Sequence, residues 1–185
     1  MRNSAEDGGG TALVLETERL RLRRLGREDA GFVLRLVNDP DWLRYIGDRG
    51  VRTLEDAERY IDSGPAAMYE RYGFGLFAVE TKEAPAPIGI CGLLKRETFP
   101  DVDIGFAFLP DFRGRGYARE AALATLDWAR EGLGLVRVIA ITVPENARSR
   151  ALLERIGLRY ERTVVLPDGS EAAVFGVTWE GAGAG

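Results

Sequence analysis

Residues 102–120 read VDIGFAFLPDFRGRGYARE. Val102, Ile104, Phe106 and Phe108 alternate with Asp103, Gly105 and Ala107, a period of two that predicts a strand with one apolar face and one of small and acidic residues. Pro110 cannot donate to a sheet ladder and ends the strand. Two glycines and two arginines form the turn, and a helix begins near Tyr117. A helix N-terminus presents unsatisfied N–H groups and partial positive charge, the natural setting for a phosphate. Gly114 and Gly116 let the backbone approach an anion closely, and Arg113, Arg115 and Arg119 add charge that pairs with phosphate oxygens. No Gly-Lys-Ser/Thr follows, so the turn is no Walker loop, and the glycine spacing is wrong for a dinucleotide fingerprint. Taken alone, the turn reads equally well as a glycine-eased connection with solvated arginines.

On either side of this stretch the period switches between two and 3.6. Leu20 and Leu22 alternate with Arg19, Arg21 and Arg23, which predicts a first strand with one wet face. Ala30, Val33, Leu34 and Val37 form a helical stripe that should stop at Asp39-Pro40. Thr53-Leu54-Glu55-Asp56 resembles a capping box opening a second helix, which Gly64-Pro65 should interrupt. GLFAVE and IGICGLL are strand-like, separated by TKEAPAP. The helix after the turn should run over about residues 117–131, with Ala118, Ala121, Ala122, Thr125 and Ala129 packing closely on a sheet. RVIAITV is a buried strand ended by Pro144, NARSRALLERI a helix ended by Gly157, and residues 160–177 a hairpin around Asp168-Gly169. Two parallel strands ending at Pro110 and Pro144 would open a crevice at their carboxyl ends, where ligands bind in open α/β sheets. The expected class is mixed α/β: one domain over residues 12–180, with flexible tails at 1–11 and 181–185.

The chain of 185 residues is 45% hydrophobic and 29% charged, ordinary for a globular domain. A net charge of −4 argues against nucleic acid as a partner. No apolar run is long enough to span a membrane, the polar N-terminus is no signal peptide, and a cytoplasmic setting is expected. There is one cysteine, Cys91, and no histidine. That removes a disulfide framework, a cysteine-rich metal site and every catalytic device built on imidazole; no metal is expected.

Arg113-Gly114-Arg115-Gly116-Tyr117-Ala118 fits the (Gln/Arg)-x-x-Gly-x-(Gly/Ala) signature of the GNAT superfamily of acyl-coenzyme A N-acyltransferases. Together with TERLRLRRLGREDA and NARSRALLERIGL, it resembles the branch of RimJ/RimL-like ribosomal-protein N-terminal acetyltransferases, over about residues 16–178. The resemblance implies a mostly antiparallel sheet splayed between two parallel strands and flanked by helices. It implies acetyl-CoA as cosubstrate and a primary amine as acceptor, either a protein N-terminus or a small molecule, and leaves a homodimer open. Residues 113–118 (Arg113, Gly114, Arg115, Gly116, Tyr117, Ala118) would hold the pyrophosphate, chiefly through N–H groups. Phe108 and Leu109 would pair with the pantetheine arm as another strand does, and Asn146 and Ser149 would contact the coenzyme.

Acetyl transfer needs a neutral amine, a polarised thioester carbonyl and a proton for the leaving thiolate. A lysine-like amine, with a pKa near ~10.4, is almost wholly protonated at neutral pH, so a base must act directly or through water. Asp103, beside Gly105 and Ala107, has room in front of it and matches the strand carboxylate that some superfamily members use; a solvated strand-edge carboxylate is the competing reading. Ser149 lies in line with Leu152, Leu153 and Ile156, bonded back to its helix or aimed outward. Many members carry a tyrosine acid where this chain has Leu153, and the resemblance makes Ser149 its substitute. The N–H of Leu109 would serve as the oxyanion donor. Cys91, mid-strand with no histidine to activate it, reads as buried filler, which leaves direct transfer in a ternary complex. Trp42, Tyr45, Tyr69 and Phe74 are candidates for an acceptor pocket or for core. The alternatives to an enzyme are a catalytically silent acyl-CoA-binding or sensing module and a nucleotide-binding protein using the same anion site.

Overall fold

Eight strands form one sheet in the order β1-β2-β3-β4-β5-β6-β8-β7. The computed structural model describes residues 12–180; the tails expected at 1–11 and 181–185 lie outside them. The strands are β1 (Leu13–Glu16), β2 (Leu20–Arg24), β3 (Leu76–Thr81), β4 (Pro87–Lys95), β5 (Val102–Phe108), β6 (Arg137–Thr142), β7 (Arg159–Val165) and β8 (Glu171–Thr178). Neighbours pair antiparallel throughout, except β5 and β6. This parallel pair meets at one register position, Asp103 opposite Ile139. Beyond it β5 runs on to Phe108 and β6 to Thr142 without pairing with each other, and Pro110 and Pro144 prevent that pairing from resuming. The crevice expected from the two prolines is therefore the central feature of the sheet.

Helices α1 (Ala30–Val37), α2 (Pro40–Tyr45), α3 (Leu54–Ile61) and α4 (Ala67–Tyr72) precede β3, α5 (Tyr117–Asp127) joins β5 to β6, and α6 (Ala147–Arg155) follows β6. α5 lies across β2, β4 and β5. Its small residues Ala121, Ala122 and Thr125, with Ala129 of the π turn Trp128–Gly132 that replaces the last turn of the helix expected over about 117–131, are wholly buried, which brings its backbone close to the sheet. One core, with Phe77, Cys91, Leu93, Ile104, Phe108 and Phe175, fills the α5 side. On the opposite face α1 and α3 cover β3 and β4 through Val33, Leu36, Ala57 and Ile61. On that same face no helix among the described residues covers β6 and β8; Phe99, from the loop after β4, packs there on Ile139 and Val174.

Several local expectations change. The Arg19–Arg23 strand is the second, because residues 13–16 already pair with it. Asp39-Pro40 ends α1 and also begins α2, with Asp39 as N-cap and proline in the first turn. Leu36, not the half-exposed Leu34, completes the buried face of α1, since packing against α3 as well as the sheet widens its apolar arc. The capping box at Thr53 is real: its hydroxyl accepts from the Asp56 N–H at 3.1 Å and the Asp56 carboxylate accepts from the Thr53 N–H at 3.0 Å. Gly64-Pro65 does not stop the helix. Residues Asp62–Ala66 widen into a π turn joining α3 to α4, with the Ala67 N–H reaching back to the Asp62 carbonyl, and the wider turn accommodates a residue with no N–H to give.

Candidate active site

The turn after β5 is a ring of unpaired donors. Gly114 and Gly116 adopt φ of +73° and +82°, left-handed values that glycine takes without penalty. Such residues curl successive N–H groups toward a common centre, an anion-binding nest. Among the described residues, no acceptor lies within hydrogen-bond distance of the N–H groups of residues 114–119. A brace from the strand edge holds the turn in this state. The Arg19 guanidinium donates to the Arg115 carbonyl at 3.1 Å and lies over the Tyr117 ring at 4.6 Å. Glu120, in the first turn of α5, accepts from the Thr17 hydroxyl at 2.6 Å, the Arg19 N–H at 2.9 Å and Arg19 Nε at 2.7 Å. Partial burial pushes the Glu120 carboxyl up, but these donors outweigh it and hold it below its ordinary value. Carbonyls are thus tied back and amides left free. Nothing in the arginine-rich turn itself pointed to this brace; the alternation of Arg19 with Leu20 was the only trace of it.

Arg113 stands apart from the rest of the turn. Its N–H goes to the Pro110 carbonyl at 3.1 Å. Its guanidinium donates to the Phe108 carbonyl at 2.9 Å, Asp41 at 2.7 Å and Asp39 at 2.6 Å. Neither group is free for pyrophosphate, which corrects the expectation for this residue. Arg113 instead ties the turn to α2, and Asp39 is a buried partner. Arg115 packs against Phe112 at 5.8 Å and Arg119 is exposed, so both remain available to an anion.

Two catalytic expectations also change. The Leu109 N–H donates to the Ile88 carbonyl at 2.9 Å and belongs to the β4–β5 ladder, so it cannot serve an oxyanion. Antiparallel alternation then turns the N–H of Phe106 and Phe108 to the β6 side, into the crevice; of the Phe108 peptide groups only the carbonyl is spent, on Arg113. Asp103 is 2% exposed, and Arg96 Nε donates to its Oδ2 at 2.7 Å. Its Oδ1 is buried with no partner among the described residues. Burial pushes its carboxyl up, and Arg96 pulls it part of the way back. The face it shares with Gly105 and Ala107 is as expected, and those two are half exposed in the middle of the sheet. The open space lies beside Asp103, not in front of it.

Across the crevice, Asn146 caps α6, accepting from the Ser149 N–H at 3.1 Å. The Ser149 hydroxyl makes no bond back to its helix and is half exposed. Because β5 and β6 run parallel, this helix start and the donor turn lie at the same end of the sheet. Leu153 is core. Trp42, Tyr69 and Phe74 are also core, leaving Tyr45 half exposed. The Trp42 Nε1 donates to the Gly47 carbonyl and the Tyr69 hydroxyl to the Leu76 carbonyl, so their polar ends are already used.

The acetyltransferase (GNAT) domain family matches residues 19–159. This chain belongs to the GNAT acetyltransferase family. A Bacillus subtilis protein named uncharacterized N-acetyltransferase YnaD is 31% identical over 147 residues, covering 80% of this chain and 83% of that one. The crystal structure of an acetyltransferase from Agrobacterium tumefaciens is 28% identical, with a TM-score of 0.76 over 96% of this chain and 99% of that chain. The fold is also that of RimL, a ribosomal L7/L12 alpha-N-protein acetyltransferase in complex with coenzyme A, which is 16% identical with a TM-score of 0.75, covering 91% of this chain and 98% of that chain.

As a GNAT enzyme the chain is an N-acetyltransferase whose donor is acetyl-CoA. Its fold is the mixed α/β sheet with one parallel pair that the sequence implied. Cys91 is fully buried 3.5 Å from the Thr125 hydroxyl, and burial pushes its thiol up to about 12. A thiol so placed is neither ionised nor reachable at neutral pH, which leaves it a packing residue. No described helix is long and apolar enough to cross a membrane.

Proposed function

We propose that the chain moves an acetyl group from acetyl-CoA directly to a primary amine, a protein N-terminal α-amine or a small-molecule amine, in the manner of the RimJ/RimL-like branch and in a cytosolic setting. The observation that carries this is the set of six amides at residues 114–119, unpaired among the described residues, at the mouth of the crevice where β5 and β6 part. Hydrogen bonds to a charged acceptor contribute about 1.5–3 kcal/mol each, so a diphosphate there fixes one end of the coenzyme. Its arm then lies along β5, and the N–H groups of Phe106 and Phe108 are the donors that can meet an amide of the arm or the thioester oxygen. The amine lone pair attacks the thioester carbon; the C–N bond forms and the C–S bond breaks. The amine proton leaves to water, since Asp103 is held by Arg96, and the Ser149 hydroxyl relays a proton to the thiolate sulfur, taking one back from water as it gives its own.

A second reading, an acyl-CoA-binding module without turnover, draws on the engaged Asp103 and on Leu153 in place of a tyrosine. Calorimetry with acetyl-CoA, followed by thiol release over a panel of peptides and amines, separates the two. Micromolar binding with turnover on at least one amine is expected. Binding with no turnover on any favours the silent module, and binding of ATP but not of CoA ends both.

A further inference from the structure

Given the acetyltransferase reading, the acceptor side of the crevice has a charge of its own. Arg96 follows β4 on the α1–α3 face and its Nε is held by Asp103 at 2.7 Å, at the register position where β5 and β6 part. Among the described residues its two terminal amino groups have no partner, and its side chain is 44% exposed. Among the described residues Arg96 is the only side-chain hydrogen-bond partner of a carboxylate whose other oxygen is buried and unpartnered, and Lys95 adds only a weaker pull. Drawing it away would leave an uncompensated buried charge. The guanidinium is therefore a fixed fork, anchored on one edge and open on the other. Tyr60 of α3 sits beside it, packed on the same core as Leu94 and Ala107, and the Tyr60 hydroxyl has no partner among the described residues. Burial pushes that phenol up while the Arg49 and Arg96 guanidinium groups pull it back. Lys95 is committed to the carbonyls of Phe99 and Pro100. Glu97 is exposed and lines the same groove as Arg96.

We infer that the amine acceptor carries a carboxylate, received by the fork of Arg96 together with the Tyr60 hydroxyl while its amine faces the crevice between β5 and β6. A planar guanidinium with two free N–H₂ groups matches a carboxylate in geometry as well as in sign. A purely cationic acceptor meets repulsion on the same floor. The carboxylate belongs either to a small amino acid or to an acidic side chain near a peptide N-terminus, and matched acceptors distinguish these sources.

The test uses the full chain with acetyl-CoA and pairs of acceptors differing only in carboxylate against carboxamide: β-alanine with its amide, and peptides with Glu or Gln at the second position. The ratio of kcat/KM within a pair is read, so the folded fraction of any variant cancels. At least one pair should favour the acid by about 10-fold or more, the worth of one charged hydrogen bond. Tyr60→Phe and Arg96→Lys, which keeps a cation on Asp103 but loses the fork, should each bring that ratio down several-fold. Ratios near one in every pair, preference for the amide, or a ratio untouched in both variants would overturn the proposal. Turnover on any pair upholds the acetyltransferase reading whatever the ratio. If no acceptor turns over, that reading fails on its own, and calorimetry of the same pairs in the presence of CoA still reads the preference; equal affinities there sink it.

Discussion

Strand β5 has a different kind of chemistry at each end. Past its carboxyl end, residues 114–119 act through their backbone: two glycines at positive φ, six free amides, and side chains of secondary importance. Toward its amino end, Asp103 acts through a side chain whose meaning depends chiefly on Arg96, seven positions earlier, just past the end of β4. The first region is set by local conformation, and almost any anion of the right shape satisfies it. The second is set by a tertiary partner, and changing that partner changes what the carboxylate can do. In the proposed reading one strand thus carries a generic device for the donor and a particular environment for the acceptor, joined by the clamp of Arg113.

The largest effect should come from breaking that clamp. Arg113→Ala removes the guanidinium that neutralises Asp39, whose side chain is 6% exposed, and frees the Phe108 carbonyl. Leaving a buried carboxylate uncompensated costs about 3 kcal/mol, to be read by denaturant unfolding. Asp41 is less enclosed, with its side chain 44% exposed, so Asp41→Asn should cost well under half as much. Equal losses in the two variants would show that the clamp is not anchored on Asp39.

Next comes the nest. Gly116→Val places a β-branched residue at φ +82° with Arg19 Nη2 3.3 Å from its Cβ, a conformation such residues rarely adopt. The turn must shift, and the loss of one or two charged hydrogen bonds predicts a Kd for CoA weaker by about 100-fold, with global stability little changed. An unaltered Kd removes the diphosphate from this turn.

These two variants also mark what the sequence could tell. The nest was legible because glycine spacing, a preceding strand and a following helix are all local. The two prolines likewise announced the crevice before any pairing was known. Arg113 was misread because its type, an arginine in an anion-binding turn, suggests a phosphate ligand, whereas its partners Asp39 and Asp41 lie more than seventy positions earlier. Asp103 was placed on the correct face, yet alternation says nothing of an arginine folding back from the end of the next strand. The Leu109 amide failed for a related reason: strand phase gives side-chain direction, but which peptide groups face a given neighbour follows only from the register.

A smaller effect is expected on the far wall of the crevice. Ser149→Ala should lower kcat by about 10-fold and leave the Kd for CoA nearly unchanged. The modest figure follows from the leaving group, because a thiol with a pKa near ~8.5 departs with little help at neutral pH and general acids contribute least there. The loss should deepen with alkylamine acceptors if proton delivery is what serine supplies. A kcat equal to that of the parent takes Ser149 out of the reaction.

The smallest change tests whether Asp103 is a charge the fold needs or one it tolerates. Burial raises its carboxyl above the ordinary 3.8, with Arg96 opposing. An acid raised on folding binds its proton more tightly in the native state, so its contribution is most favourable below about 3.8 and is lost as pH rises through the native value. At neutral pH the parent therefore carries a penalty that Asp103→Asn lacks. The variant should be as stable as the parent or more so, by about 1 kcal/mol or less, and the half-exposed Arg96 keeps water as a partner. On acidification to pH 4 the difference should close, since every other carboxylate titrates alike in both proteins. A variant that is less stable at pH 7 would mean that the ion pair stabilises the fold in its own right. Asp103 would then be structural, and the orientation of the Arg96 fork a by-product of packing.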